Sequence, residues 1–517
     1  MKIFLLHFLF LLFSIQSFTQ KKIYDVQLYG AKNDGITLAT EAIQLAIDDC
    51  NRNGGGTVYV PSGIFKVGTI FLKSNVNLYL ERGAVVKGSE NLIDYHEYSL
   101  PPFGKNYYGI IYTDSAINVS ISGFGTIDGN NQVFFDWTVA KKIEWGGSQY
   151  TRQSEKFRTV INGIGDGPVM PKDRPRQMVV FARCKNVAVQ NVQLLNAPFW
   201  TIHFADCDGV NVSGIYLATN MLVPNADGID VTSSSNVIIT NSDIRAGDDA
   251  IAITGYDHHF EIPGFSKIKN VSENIVIGNC NLQSNSSAIR IGFLDQNTVK
   301  NIQVSNVNIT NSNRGIGIFV RDEGSLENIS FQNMYIETAL KTGDWWGNGE
   351  PIHISAVRGN DKATLGKIKH VQFNNIVCKG ENGILLYGSK ESILEDIQFN
   401  HVRFELIHSK LNELAGGNID LRGCALPKQL FARDIPAFLL QHVKDITFND
   451  VQLNWTNTSA PFFTHGIELN NFSNVRINLF NGTASPANKK ANRLNASNGK
   501  QLFLDNKQNS LFVNVTN

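Results

Sequence analysis

The sequence predicts an all-β protein wound as a right-handed parallel β-helix, with a short helix capping its N-terminal end. Three observations lead there. First, polar turn residues recur five positions apart around an alternating apolar core: Asn186-Val-Ala-Val-Gln-Asn191, Asn236-Val-Ile-Ile-Thr-Asn241, Asn274-Ile-Val-Ile-Gly-Asn279, Asn301-Ile-Gln-Val-Ser-Asn306 and Asn328-Ile-Ser-Phe-Gln-Asn333. Weaker copies begin at Asn118, Gly209, His370, Asp396, Asp445 and Asn474. Alternation with period two marks a half-buried strand, and Asn or Gly at fixed offsets marks a bend that tolerates left-handed backbone angles. Second, most successive copies start about 23 to 30 residues apart, the spacing of solenoid repeats. Third, a chain of 517 residues outgrows a single globular core, whereas a solenoid lengthens freely because each coil packs only on its neighbours. The Leu-x-x-Leu-x-Leu runs of a leucine-rich array are absent from the sequence.

In chain order, residues 1–19 join Met1-Lys2 to a mostly apolar run over 3–15 and then to Gln16-Ser17-Phe18-Thr19. This reads as a cleaved secretory leader, short for a membrane span, so the mature protein is expected in the periplasm or outside the cell and free of the membrane. The β-helix is expected over residues 20–484. It opens with the turn Gly30-Ala-Lys-Asn-Asp-Gly35 and a helical stripe of Ile43, Ala46 and Ile47, which predicts an amphipathic helix over the solenoid's open end. Gly54-Gly55-Gly56 stops that helix before the strand Thr57-Val-Tyr-Val60. Three stretches then interrupt the repeat, at 137–175, 338–351 and 406–439. Long insertions in a rigid scaffold carry binding or cover a cleft, and the third shows no role in its sequence. A polar segment with closing strands is expected over 485–517.

Composition narrows the partners. The 46 basic and 46 acidic side chains balance, so no overall field recruits nucleic acid or an anionic membrane, and a monomer is expected. Six cysteines (Cys50, Cys184, Cys207, Cys280, Cys378 and Cys424) lack metal-knuckle spacing, and several sit in apolar strand patterns, which predicts buried free thiols. A disulfide between Cys184 and Cys207, about one coil apart, stays open. No zinc, phosphate-loop, dinucleotide or Ser-His-Asp signature stands out, so no cofactor and no metal are expected.

The chemistry concentrates in Asn225-Ala226-Asp227-Gly228-Ile229-Asp230 and Gly247-Asp248-Asp249. Asp227 and Asp249 lie about 22 residues apart, close to one coil, and neighbouring strands stack at about 4.8 Å, so the carboxylates are expected to share one solvent-open patch. Paired carboxylates flanking a glycosidic bond are what sugar hydrolysis requires. In a regular strand Asp248 and Asp249 would face opposite sides, so a bend at Gly247 is required. Crowding of three carboxylates should raise proton affinity in the cluster as a whole. The competing reading is a ladder of solvated or calcium-bridged aspartates.

Those motifs, with Val58-Tyr-Val-Pro61-Ser-Gly63, Gly125-Thr126-Ile127-Asp128-Gly129 and Pro198-Phe-Trp200, resemble the family 28 glycoside hydrolases, the polygalacturonase family, from Tyr24 to about Asn481. The resemblance implies inverting hydrolysis, with Asp248 as proton donor and Asp227 and Asp249 positioning and deprotonating the water. Inversion would place acid and base about 6.5 to 9.5 Å apart. It also exposes departures. A Gly-His-Gly motif expected after the aspartate pair falls on Ser286-Ser287-Ala288, and an Arg-Ile-Lys motif falls on Gly317-Ile318-Phe319. Ser287 thus replaces the His, and Gly317 and Phe319 replace two cations that would meet a uronate. Arg290 is the expected new cation, and Phe319 is expected to face a sugar ring or methyl group. Asn225, Trp345, Trp346, Glu350 and His258 complete the candidate substrate contacts. The expected partner is an acidic plant or algal polysaccharide of pectin type other than plain polygalacturonate. A polysaccharide lyase and a non-catalytic carbohydrate-binding β-helix are the alternatives.

Overall fold

A computed structural model describes residues 22–508, apart from 101–103, 142–146, 161–166, 256–269 and 506. The expected leader therefore lies outside the described residues. Helix α1 (Thr40–Arg52) buries Ile43, Ala46, Ile47 and Cys50 against the first coils, and the strands that follow stack in parallel.

The turn reading holds at each repeat. Asn186, Asn236, Asn274, Asn301 and Asn328 have φ between 55° and 58°, and the weaker copies at Asn118, Gly209, His370, Asp396, Asp445 and Asn474 also take positive φ. A short polar side chain tolerates this region, and here the amides also bond from coil to coil. Asn274 donates to Asn236 at 3.3 Å, Asn301 to Asn274 at 3.2 Å and Asn328 to Asn301 at 3.2 Å. Inside the solenoid, inward positions stack like on like, with Phe331, Phe373, Phe399 and Phe448 in a parallel series about 5 Å apart, centre to centre. All six cysteines are buried and free.

One face of the solenoid positions the site. It is built from β1 (Ile70–Leu72), β2 (Ile111–Asp114), β3 (Val179–Ala182), β4 (Ile202–Ala205), β5 (Ile229–Thr232), β6 (Ile251–Thr254), β7 (Ser287–Gly292), β8 (Arg314–Val320), β9 (Ile352–Ala356) and β10 (Ile384–Tyr387). Apolar residues such as Ile229, Ile251, Ile289 and Ile316 point inward. The intervening row runs outside the solenoid, in register from coil to coil: Phe71, Tyr112, Val180, His203, Asp230, Ala252, Arg290, Gly317, His353 and Leu385.

The three insertions join one another across this face. Arg152 donates through Nε to Gly417 O at 2.9 Å, and Arg158 donates to the Trp345 and Gly347 carbonyls and to Asn348 Oδ1. Arg422 donates to Asp344 at 2.7 Å, to Asp420 at 2.8 Å and to Trp345 O at 2.6 Å. The 406–439 stretch, whose sequence suggested no role, is thus one side of a wall whose other side is 338–351. At the C-terminal end, strands Leu494–Ser497 and Lys500–Leu504 stack on the last long strand, Ile467–Asn481.

Candidate active site

Asp227 and Asp249 each stand two residues before a strand, and those strands, β5 and β6, pair Ile229 with Ile251. The backbone joins them directly: Gly228 N donates to Asp249 O at 2.9 Å, and Ala250 N donates to Ser287 O at 3.0 Å. Asp248 enters the same patch through a bend. A Cβ at Gly247 would lie 2.4 Å from Val223 O and 2.8 Å from Asn220 O, so only glycine allows the chain to turn there. One oxygen from each of Asp227, Asp248 and Asp249 comes within 4.8 Å of the others. That is tighter than the spacing expected for inversion.

Each carboxylate has its own surroundings. Asp248 Oδ2 accepts from Asn225 N at 3.1 Å, and Asn225, with φ 55°, is held by Arg174, whose Nη2 donates to its Oδ1 at 3.1 Å. Asp249 accepts Ser287 N at 2.8 Å on one oxygen and the Arg290 Nε on the other. Asp227 Oδ1 accepts no hydrogen bond from the described protein. Burial, then the Asp248 charge, pushes the Asp227 carboxyl far above its ordinary value. Burial and Asp249 push Asp248 up to about 6, against the Asn225 amide and Arg290, which pull it down. Arg290 is held protonated by Asp249 and Asp227 despite its burial. A metal cation bound by these carboxylates would sit against the Arg290 charge.

The expected open groove is not found. Asp227 is 3% exposed and Asp249 5%, with Asp248 intermediate, so the aspartates line a recess. Several predicted substrate contacts also belong to the protein interior. Phe319 does face outward along β8, but it is 5% exposed because the Arg314 and Arg321 guanidinium groups lie over its ring at 4.9 and 5.2 Å, and His353 meets it edge-on. Gly317 is where that ring fits: a Cβ there would lie 2.6 Å from it. Ser287 is buried, with its hydroxyl accepting from Arg314. Glu350, 3% exposed, is committed to Arg314 at 3.1 Å and His353 Nδ1 at 2.9 Å. Burial raises its carboxyl, but Arg314 and His353 outweigh this and bring it down to about 2. Trp345, 2% exposed, fills the wall's interior instead of meeting a sugar. Trp346 remains half-buried and meets Phe293 edge-on at 5.6 Å, and Phe293 in turn lies 5.8 Å from the Arg290 guanidinium. His258 lies outside the described residues. Sequence reasoning missed Arg174 and Phe293, since neither stands in a motif; Arg174 acts through Asn225, 51 residues away, and through the Pro198 and Pro224 carbonyls.

The family model for glycosyl hydrolases family 28 matches residues 50–406. The chain belongs to that family. An exo-poly-alpha-D-galacturonosidase of Dickeya chrysanthemi is 30% identical over 256 residues, which are 44% of this chain and 41% of that protein. The chain spans about half the length of the curated relatives it matches. Among solved structures, the hyperthermoactive exopolygalacturonase of Thermotoga maritima superposes with a TM-score of 0.57 at 21% identity, over 84% of this chain and 92% of that one. The family 28 exopolygalacturonase of Yersinia enterocolitica gives 0.59 at 19% identity, over 93% and 79%. At these identities the superpositions establish the shared β-helix fold.

Proposed function

We propose that this family 28 chain is an exported glycoside hydrolase that cleaves an acidic, pectin-type polysaccharide or its oligosaccharides; inversion is what the family resemblance implies, and the carboxylate spacing, shorter than that of an inverting pair, does not carry it. The observation that carries the reading is the three-aspartate cluster, held within 4.8 Å beside one arginine. Asp248, with its proton held up to about 6, donates to the leaving oxygen. Asp249, fixed by Arg290 and Ser287 N, deprotonates the attacking water, and the unbonded Asp227 Oδ1 positions it. Export rests on the apolar leader over residues 3–15, and periplasmic or extracellular action follows from it.

The preference against plain polygalacturonate is supported by the fate of the two replaced cations. Position 317 carries no side chain, position 319 carries a phenyl ring, and the nearest cations, Arg314 and Arg321, are buried and bonded within the protein. A substrate acid group at this subsite is left with Arg290. The test is a reducing-end assay on polygalacturonate, rhamnogalacturonan and algal polysaccharides, with ultraviolet detection of unsaturated products and proton NMR of the first anomer released. New reducing ends, no unsaturated product and an inverted anomer are expected. A retained anomer would refute inversion, and polygalacturonate hydrolysed as fast as the best substrate would refute the preference.

A further inference from the structure

The outer row that carries Asp230 and Arg290 reaches, at its N-terminal end, an aromatic stack that neither the core nor the aspartate site uses. Tyr112, on β2, is three coils before Asp230, or about 14 Å at the usual strand spacing. Tyr108 packs on it with ring centres 4.2 Å apart, Tyr98 stacks on Tyr108 at 4.3 Å, and His96 stacks on Tyr108 at 5.7 Å. Together with Phe71 these rings lie outside the solenoid, where Tyr112 joins a cluster separate from the main core. Tyr98 is presented by an antiparallel hairpin, Glu97–Leu100 with Gly104–Tyr107. His96 is exposed, and Phe71, Tyr98 and Tyr108 are half-buried.

A cation links this stack to the aspartates. Burial raises the Tyr98 hydroxyl and the charge of the nearby, half-buried Arg176 draws it down, and the Arg176 guanidinium lies 5.0 Å from the Phe199 ring. Phe199 stacks on Trp200 at 5.6 Å, and Trp200 immediately precedes Thr201, whose N donates to Asp227 O. Among the described residues no carboxylate forms an ion pair with Arg176. Tyr108 is packed between Tyr98 and Tyr112, so the exposed His96 and the half-buried Tyr98 are the rings that a sugar's C–H side could meet, and an arginine without an acid partner suits a carboxylate.

We propose that His96, Tyr98, Tyr108 and Arg176 form a distal subsite that holds a uronate unit of a glycan whose other end occupies the aspartate recess. This rests on the glycan-hydrolase reading above, from which it takes its occupant, and on the contacts from Arg176 through Phe199 and Trp200 to Asp227, since the row residues Val180 and His203 between the two places are themselves buried. Only a chain several sugars long reaches both, so the subsite adds affinity for long acidic glycans and none for a disaccharide.

Binding is measured apart from turnover, by calorimetry in the full-length Asp248→Asn protein, with an acidic rhamnogalacturonan hexamer, its methyl-esterified form and the corresponding disaccharide as probes. Tyr98→Ala should weaken hexamer binding about tenfold, the scale of one well-packed aromatic contact, and leave the dimer unchanged. Tyr98→Phe should restore most of the loss. Arg176→Gln should weaken the free hexamer and not the esterified one. Equal losses on hexamer and dimer would mean that the hairpin only supports the fold, and this outcome overturns the subsite, as does a hexamer that the parent protein binds no better than the dimer. Failure of the hydrolase reading would show separately, as wild-type protein that binds the hexamer with the same length dependence and releases no reducing ends from any tested glycan.

Discussion

Two buried charge clusters stand on the same face of the solenoid, and they respond to burial in opposite ways. In the recess, Asp227, Asp248 and Asp249 share Arg290, and the carboxyls of Asp227 and Asp248 are pushed up. Beneath Trp345, the acids Asp344, Glu350 and Asp420 lie among Arg158, Arg314 and Arg422, and burial of Glu350 and Asp420 is outweighed by the cations, which hold both carboxyls down. Burial raises the carboxyls in both places. What differs is the ratio of cations to acids, and that ratio separates a cluster able to hand over protons from one that ties loops together.

The largest expected effect breaks the balanced cluster. Arg422→Met should leave Asp344 and Asp420 buried without their cation and cost about 3–5 kcal/mol, read as an earlier unfolding transition in denaturant. An unchanged transition would mean that the wall is not held by charge. Next comes the unbalanced cluster. Asp248→Asn keeps the shape and removes the transferable proton, so turnover should fall about a hundredfold or more, with little change in substrate affinity and no loss of stability in the unfolding transition. Near-normal turnover in a clean preparation would remove Asp248 from the mechanism.

The smallest effect shifts a titration. Asp248 donates only while protonated, so activity should fall as pH rises through about 6. Arg290 lowers the proton affinity of both Asp227 and Asp248, and Arg290→Gln should move this alkaline limb upward by about one pH unit. A limb that stays in place, or moves down, would show that Arg290 does not tune the cluster, whatever the variant does to the rate.

The same contrast explains what the sequence reveals. The coils are legible because their signals are local: each Asn bend needs only a few residues, and the aspartate spacing converts directly into adjacency. The bend at Gly247 is legible for the same reason. Trp345 misled because its burial is decided by Arg158 and Arg422, residues 187 and 77 positions away in sequence, and Glu350 because it is taken up by Arg314, 36 positions before it. Alternation correctly turned Phe319 outward, yet could not tell that two arginines lie over its ring. The recess was read as an open groove on the same grounds, since nothing local to Asp227 records what covers it.

The wall also imposes a timetable. Most of the solenoid joins residues within a coil or two, so it can form as the chain emerges, whereas Arg152 must wait for Gly417, some 265 residues later. Residues of the aspartate cluster are therefore stacked long before the stretch that closes off their C-terminal flank has been made. A chain cut short near residue 400 would keep the three aspartates and Arg290 but lack the partners of Arg152 and Asp344. Such a fragment would present a groove open at that end, and comparing its product sizes with those of the full chain would reveal which substrate end the wall excludes.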